Sequence, residues 1–240
     1  MNVKKYFTLT VFILLVLKLF GQSGFIENRG QLHDEQGKSR KDIQFLFRNG
    51  NFQIQIKETG ISYELFIPEK SEIEGKSQFR VKRIDLDFID GDSNLKWEGE
   101  KELPQWENYY NQLGEFRHVK IFERVRVTNI WDGVDLIFYV GSEGAPKYDF
   151  IVHGNKLDRI KLKVSNAEEL KVAEQLLFMK LGELEISDII GPCYSETNPE
   201  FNLNFNWKLS DNILSFSSDR LLNNSEIYRI DPQILLGLSA

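Results

Sequence analysis

Residues 201–209 read Phe-Asn-Leu-Asn-Phe-Asn-Trp-Lys-Leu, a strict alternation of large apolar and polar side chains. Successive side chains of a β-strand point to opposite faces, so this stretch presents one apolar face and one polar face. The same period of two recurs in shorter stretches at 52–57, 84–88 and 160–164. These patterns predict half-buried strands of antiparallel sheets.

Turn signals separate the predicted strands, as in Arg48-Asn49-Gly50, Trp131-Asp132-Gly133 and His153-Gly154-Asn155. Many short strands divided in this way predict an all-β fold with little helix, in which antiparallel sheets form a β-sandwich-like arrangement. Residues Asn166–Gln175 fit either a short helix or a strand. The polar stretch Glu69–Gln78 predicts a hairpin loop.

The first 23 residues have the pattern of a secretory signal peptide. Lys4 and Lys5 precede an uncharged apolar run of about twelve residues, shorter than the roughly twenty that cross a membrane as a helix. Gly21-Gln22-Ser23 has the small-x-small form of a cleavage site, so we expect cleavage between Gly21 and Gly24. A retained membrane anchor is the alternative. The prediction is an exported protein, located outside the cell, at its surface or in the periplasm, with no membrane span in the mature chain.

Residues 24–236 predict one continuous β-rich domain, and 237–240 a short C-terminal tail. No linker, repeat or low-complexity tract divides this part of the sequence. Without the three lysines of the leader, 27 basic residues face 36 acidic ones, which is a net charge of −9. An acidic chain repels the phosphate backbone, so nucleic acid is not an expected partner.

The residue types that build many active and metal sites are scarce. Cys193 is the single cysteine, and three histidines are present, which leaves neither an internal disulfide nor a multi-cysteine metal site. We expect Cys193 to be a small buried core residue. The sequence assigns no catalytic, cofactor-binding or metal-binding residue, and we expect no enzymatic activity and no cofactor.

Two motifs resemble functional sites without completing them. Gly91-Asp92-Ser93 resembles the Gly-Asp-Ser block of a class of serine esterases, but no helix pattern and no Asp-x-x-His follow it. Asp90-x-Asp92-x-Asn94 begins like a calcium loop, yet Leu95 and Lys101 stand where an EF-hand needs glycine and glutamate. A looser calcium site that includes a distant carboxylate stays open.

Two pairs of aspartates invite an acid–base interpretation. Asp132 and Asp135 are three residues apart and do not share a strand face, so a structural turn is favoured. Asp85 and Asp87 share a face, the one opposite the apolar residues of their strand. We therefore expect a solvated face there rather than a desolvated catalytic pair.

Aromatic residues between 97 and 131 allow two interpretations. Exposed rings stack on sugars in many secreted β-modules, whereas buried rings fill sandwich cores. Tryptophans that line one open groove beside two carboxylates would favour the first, and buried tryptophans the second. The residues concerned are Trp97, Trp106, Tyr109, Tyr110 and Trp131.

Five blocks carry a family resemblance: 24–31 (GFIENRGQ), 108–110 (NYY), 131–139 (WDGVDLIFY), 147–152 (KYDFIV) and 228–232 (YRIDP). In this order they resemble an N-terminal domain of uncharacterised function in secreted bacterial surface proteins, many from Bacteroidota. In those proteins SBBP β-propeller-type repeats often follow the domain. The resemblance covers residues 24–236 and implies a β-rich module, and it supplies no catalytic residues.

The same blocks predict three local structures. Asn28 and Gly30 suit a tight turn, and Asp135, at the start of a strand, is placed to accept backbone N–H groups. Tyr139 and Tyr148 are expected to pair across a hairpin whose turn is 141–146.

These observations predict an exported, non-enzymatic module with a structural or interaction role at the cell surface, where its partner is a protein or a glycan. Two alternatives stay open: a glycan-binding or glycan-processing secreted protein, and a calcium-stabilised adhesion module. The first, as a site built from the aromatic residues named above, requires the tryptophans in an open groove, and the second requires a stability that depends on calcium.

Overall fold

The computed structural model describes residues 23–70, 78–92, 95–142, 144–191, 193–196 and 202–238. The predicted signal peptide lies outside these residues except for Ser23. Helical structure in the described part amounts to one short 3₁₀ segment, Leu157–Arg159. Every strand pair is antiparallel, so the prediction of an all-β antiparallel fold is confirmed.

Nineteen strands run through the described residues. The first nine are β1 (Phe25–Glu27), β2 (Ile43–Asn49), β3 (Phe52–Lys57), β4 (Gly60–Glu69), β5 (Gln78–Phe88), β6 (Trp97–Asn111), β7 (Gly114–Trp131), β8 (Val134–Val140) and β9 (Pro146–His153). The others are β10 (Leu162–Ser165), β11 (Glu169–Ala173), β12 (Leu176–Leu181), β13 (Leu184–Ile190), β14 (Cys193–Ser195), β15 (Asn202–Leu203), β16 (Phe205–Ser210), β17 (Ile213–Ser218), β18 (Ile227–Ile230) and β19 (Pro232–Leu238).

Fifteen of these strands form one large sheet. Its order is β15-β14-β18-β9-β8-β7-β1-β2-β3-β4-β5-β10-β17-β16, and β6 pairs with β7 beside this path. The two end strands, β15 and β16, are consecutive in the chain and are separated only by Asn204. The sheet therefore curls until its two ends approach each other at Asn204, and it is nearly closed.

The alternating stretch 201–209 lies at this near-closure. Three of its apolar side chains, Leu203, Phe205 and Trp207, are buried as the alternation predicts, and Leu209 is half-buried. The stretch is not one strand, because it divides at Asn204 into β15 and β16, which pair with opposite ends of the sheet. Asn204 Nδ2 donates a hydrogen bond to Asp219 Oδ2 (3.1 Å), which holds the chain at the division.

One apolar core fills the inside of the curled sheet and continues beneath the small sheet. Aromatic rings meet across the interior: Phe25 contacts Phe47 and Phe138 at centroid distances of 5.4 and 6.2 Å. Phe150 of β9 contacts Phe216 of β17 at 5.5 Å, although these strands are far apart along the sheet. The facing layers expected of a sandwich-like fold are thus formed by one curled sheet, together with a second sheet packed against it.

The small sheet has the order β11-β12-β13-β19. Its first strand, β11, lies within Asn166–Gln175 and resolves the choice between helix and strand in favour of strand. Its last strand continues to Leu238, which pairs with Leu184, so it extends two residues past the boundary predicted at 236. No helix in the described part of the chain combines the length and hydropathy that a membrane crossing requires.

The predicted hairpin between β4 and β5 is also formed. Glu69 and Gln78, the ends of the polar stretch, are the last paired residues of the two strands. The residues between them from 71 to 77 lie outside the described ranges.

Candidate functional site

The outer face of strands β3, β4 and β5 carries polar side chains, most of them buried. Alternation places Ile54, Tyr63 and Ile84 in the core and turns their neighbours outward. The strand register arranges the outward residues in two rows, Gln53-Glu64-Arg83 and Gln55-Ser62-Asp85. These six residues and the neighbouring Lys57 form what we call the outer network.

Asp85 is the centre of the outer network. Its carboxylate accepts hydrogen bonds from Lys57 Nζ (3.0 Å), Arg83 Nε (2.9 Å), Asn166 Nδ2 (3.0 Å) and the hydroxyl of Ser62. Burial by itself raises the pKa of Asp85, but the bonds from Arg83, Ser62 and Lys57 outweigh it and lower the pKa below its usual value. The prediction that Asp85 lies on a solvated face is wrong, because the residue is only 8% exposed.

Glu64 is the second carboxylate of the outer network. Its Oε2 accepts hydrogen bonds from the side-chain amides of both Gln53 and Gln55, the latter at 2.7 Å. Its Oε1 lies 3.8 Å from Arg83 Nη1. Because both glutamines point their NH₂ groups at Glu64, their amide oxygens are directed away from it.

An open groove of about 450 Å³ lies over the outer network. Outer-network side chains line it, and the next row of the sheet adds Phe66, which lies opposite Val81. The segment His33–Gln36 and Arg40 line the groove as well. A volume of a few hundred Å³ is typical of sites that hold small ligands.

The turn at Asn28 positions the segment that lines the groove. Asn28 Nδ2 donates to the carbonyl groups of Arg40 (2.8 Å) and Ile43 (2.7 Å), and its Oδ1 accepts the N–H of Gly30 (3.0 Å). Gly30 has a φ of 104°, a conformation that favours glycine. The predicted tight turn is confirmed, and it brings Arg40 Nη2 to 3.5 Å from the amide oxygen of Gln55.

A second polar cluster lies where the large and small sheets meet. Tyr148 of β9 donates a hydrogen bond to Oδ2 of Asp188 in β13, so this bond joins the two sheets. Asp188 is 1% exposed, and its other oxygen has no hydrogen-bond partner among the described residues. Burial raises the pKa of Asp188 to about 7, assisted by the charge of Asp231 and opposed by the bond from Tyr148.

Asp149 is the second buried acid near this junction, and because it follows Tyr148 in β9 it lies on the opposite, outer face of the large sheet. It accepts hydrogen bonds from Arg229 Nη1 (2.5 Å) and from the hydroxyl of Tyr139 (3.2 Å), which also lies 3.4 Å from Asp231 Oδ1. Burial and the charge of Asp231 raise the pKa of Asp149 to about 6, against the opposing effect of Arg229. A cleft of about 190 Å³ opens beside these side chains. The inter-sheet cluster consists of Tyr139, Tyr148, Asp149, Asp188, Arg229 and Asp231.

Three of the five sequence blocks converge in the inter-sheet cluster. Block 131–139 supplies Tyr139, block 147–152 supplies Tyr148 and Asp149, and block 228–232 supplies the remaining contacts from the large sheet. A family model described as a domain of unknown function (DUF7948) matches residues 25–233. The chain belongs to this family. No curated protein and no solved structure matches the chain.

The expected pairing of two tyrosines in this DUF7948 domain is wrong by one residue. In the β8–β9 hairpin Tyr139 lies opposite Lys147, and Phe138 lies opposite Tyr148. The hairpin itself is formed, but this register puts the two tyrosines on opposite faces of the sheet. Tyr148 therefore reaches inward to the small sheet, and Tyr139 reaches outward to Asp149.

The tryptophans of the DUF7948 domain do not line one groove. Trp131 is buried and its Nε1 donates to the carbonyl of Ile89 (2.7 Å). Half-buried Trp97 lies tilted against the core residue Phe138, with ring centroids 6.2 Å apart. Trp106 is 53% exposed and lies over His118 at 4.8 Å. The row of exposed tryptophans that the glycan alternative called for is therefore not formed, because two of the three rings pack against the core. Tyr109 donates to Glu107 and Tyr110 is exposed, and neither lines the groove.

Asp132 and Asp135 have separate structural roles, as the sequence predicts. Asp135 Oδ1 accepts the backbone N–H of Asn129 (2.8 Å) at the start of β8. Asp132 forms an exposed ion pair with Lys156 (2.7 Å). The two side chains have different partners, which does not suit paired acid–base chemistry.

The esterase and calcium motifs lie only partly within the described residues. Ser93 and Asn94 lie outside the described residues. The ring of His118 lies 4.8 Å from the ring of Trp106, within the β6–β7 hairpin. Asp90 pairs with Lys161 (3.4 Å). Within the described ranges no three His, Cys, Asp or Glu side chains are arranged to hold a metal ion.

Cys193 is buried at the junction of the sheets, as predicted. Its Sγ lies 3.3 Å from the carbonyl oxygen of Gly191. Burial raises the pKa of the thiol to about 12, so it stays protonated at neutral pH. A protonated, buried thiol is a core residue rather than a nucleophile.

Proposed function

We propose that this chain is an exported, non-enzymatic interaction module that binds a neutral saccharide in the groove over the outer network. The observation that carries the proposal is the lining of the groove. Amide, carboxylate and guanidinium groups lie side by side on the sheet, and Phe66 and Val81 form an apolar row beside them.

Ligands rich in hydroxyl groups suit this lining. A sugar hydroxyl both donates and accepts, and planar amide, carboxylate and guanidinium groups contact two neighbouring hydroxyls at once. The ring of Phe66 offers a flat face to the C–H groups of a sugar. Arginines and carboxylates both line the groove, so its charges favour neither a strongly anionic nor a strongly cationic ligand.

The proposal is binding rather than catalysis because the two carboxylates of the outer network are already engaged. Oε2 of Glu64 accepts two amide hydrogen bonds, and Asp85 accepts bonds from four side chains. A general acid or base must exchange a proton with the ligand, and these fixed acceptors are poorly suited to that task. They are well suited to hold the neighbouring donors in place.

Export and a place at the cell surface are part of the proposal. The leader pattern of residues 1–23 supports export. The five blocks resemble N-terminal domains of secreted Bacteroidota proteins, which SBBP repeats often follow, and this resemblance supports a surface location. In such a protein the groove would hold an extracellular glycan chain against the surface.

The test is binding to neutral oligosaccharides, first on a glycan array and then by isothermal titration calorimetry with the strongest ligand. Phe66→Ala should weaken the binding of that ligand by about 10-fold, because it removes the aromatic face on which the sugar stacks. Trp106→Ala removes an exposed ring outside the groove and serves as the matched control, with no expected change.

Three results would contradict the proposal. Binding to no oligosaccharide on the array would reject the saccharide. Loss of binding in Trp106→Ala but not in Phe66→Ala would show that the saccharide binds at the tryptophans and not in the groove. Recovery of the chain only from the cytoplasm, after fractionation of cells that express it with its leader, would reject export.

A further inference from the structure

The small sheet has one uncovered edge, strand β19. It pairs with β13 through seven consecutive residues, from Pro232 opposite Ile190 to Leu238 opposite Leu184, without a bulge. No strand in the described ranges pairs with its other side. In an antiparallel strand alternate residues direct their N–H and C=O groups to each side, so this side presents a row of free backbone donors and acceptors.

The two ends of the large sheet and the opposite edge of the small sheet are covered or charged in the described residues. The two ends of the large sheet approach each other at Asn204. At the opposite edge of the small sheet, β11 carries Glu169 and Lys171, and the backbone N–H of Trp207 donates to the carbonyl of Glu174 just beyond it (2.8 Å). Charges and coverage are the usual protection of an edge strand. β19 lacks the charges, since residues 232–238 carry none.

Apolar side chains flank this edge on both faces of the sheet. Leu235 and Leu236 are 51% and 41% exposed, and they point to opposite faces because they are consecutive in a strand. Ile189 and Leu176, which lie opposite each other on β13 and β12, are also exposed and extend the apolar surface on the face of Leu235. One added strand would cover both leucines.

We propose that a second copy of this chain pairs with β19, antiparallel and about a two-fold axis, to form one continuous sheet of eight strands. A strand without charge opposes no like charges when it pairs with itself, and its two leucines meet identical surfaces on the second copy. Full overlap of residues 232–238 places Leu235, the middle residue, opposite Leu235 of the second copy. The inference does not depend on the proposed function.

The self-pairing is tested by sedimentation of the chain as processed by an exporting host, over about 1–100 µM. We expect a concentration-dependent dimer. Leu235→Lys places two ammonium groups opposite each other in the dimer. It should raise the dissociation constant of the dimer by roughly 100-fold and leave the melting temperature of the monomer unchanged. Leu221→Lys, at a residue that is 96% exposed and outside β19, is the matched control and should leave the dimer intact.

Leu235→Cys tests the register. Directly opposed residues of an antiparallel pair have Cα atoms about 4.5–5.5 Å apart, within the range of about 4.4–6.8 Å that a disulfide spans. Mild oxidation should therefore link two copies through Leu235→Cys and not through Leu221→Cys. A chain that sediments as a monomer throughout the range, or a dimer insensitive to Leu235→Lys and not linked through Leu235→Cys, would overturn the proposal.

Discussion

The outer network and the inter-sheet cluster both bury carboxylates, yet they shift the pKa of those carboxylates in opposite directions. Asp85 is 8% exposed and its pKa is lowered. Asp149 and Asp188 are 2% and 1% exposed, and their pKa values are raised to about 6 and about 7. All three lose most of their contact with water, so burial alone does not decide the direction.

The neighbouring charges, namely more cations at Asp85 and the carboxylate of Asp231 at the other two acids, explain the difference. Asp85 accepts hydrogen bonds from both Lys57 and Arg83. Asp149 has one guanidinium, which it shares with Glu196, and Asp188 has only the phenol of Tyr148. Asp85 is thus held ionised at neutral pH, whereas Asp149 and Asp188 keep their protons to a higher pH than an ordinary aspartate.

The largest expected effect is the loss of Asp85. Asp85→Ala leaves Lys57, which is itself buried, without the ion pair that compensates its desolvation. Breaking a buried pair by removal of one partner costs about 3–5 kcal/mol. We expect a loss of this size in the free energy of unfolding, measured by urea denaturation at pH 7.

Asp87→Ala is the matched control for this variant. Asp87 lies on the same strand face two residues further on, but it is only half-buried. We expect its replacement to cost less than about 1 kcal/mol. Equal losses from the two variants would show that the strand face, and not the ion pair with Lys57, accounts for the effect.

The raised pKa values of the inter-sheet cluster predict an unusual dependence of stability on pH. The unfolded chain releases these protons near pH 4, whereas folded Asp149 and Asp188 retain them up to about pH 6 and 7. Between these values the folded state binds more protons, so the free energy of unfolding should fall as pH rises from about 4 to about 7. Below about pH 4 the free energy of unfolding should decrease as the pH is lowered further, because Asp85, whose pKa is lowered in the folded state, then becomes protonated.

Asp188→Asn isolates the contribution of one acid to this profile. The variant cannot take up the proton, so the decline between pH 5 and pH 8 should shrink by about 1–3 kcal/mol. Urea denaturation at the two pH values measures the decline. Asp132→Asn, at an exposed position, should leave the decline as it is. An identical decline in Asp188→Asn and the unchanged protein would contradict the assignment of the effect to Asp188.

The sequence predicts the strands well because the period of two is a local signal. It does not predict where a strand ends within an alternating stretch, as at Asn204, because that division depends on which distant strands pair with each half. The same limit applies to Tyr139 and Tyr148. Their hairpin is local, but a register shift of one residue follows from the turn and reverses the faces of both side chains.

The outer network shows a different limit. Alternation places Asp85 on the face opposite the core, and this placement is correct. Its burial depends on Asn166, 81 residues away in the chain, and on partners from neighbouring strands. The groove was missed for the same reason, because Arg40 reaches it only through the turn at Asn28. A pattern within one strand contains no information on which distant residues bury its side chains.

The smallest expected effect comes from an ion pair that is exposed to solvent. Arg117 and Glu115 are 3.0 Å apart, as close as Lys57 and Asp85, but both side chains are more than half exposed. Arg117→Ala should change the free energy of unfolding by less than about 0.5 kcal/mol, and a double-mutant cycle with Glu115→Ala should give a coupling of the same small size. Because the two pairs match in distance and charge, the contrast with Asp85→Ala measures what burial and the further hydrogen bonds of Asp85 add. A loss in Arg117→Ala that approaches the loss in Asp85→Ala would mean that contact alone, without burial, determines the stability of these pairs.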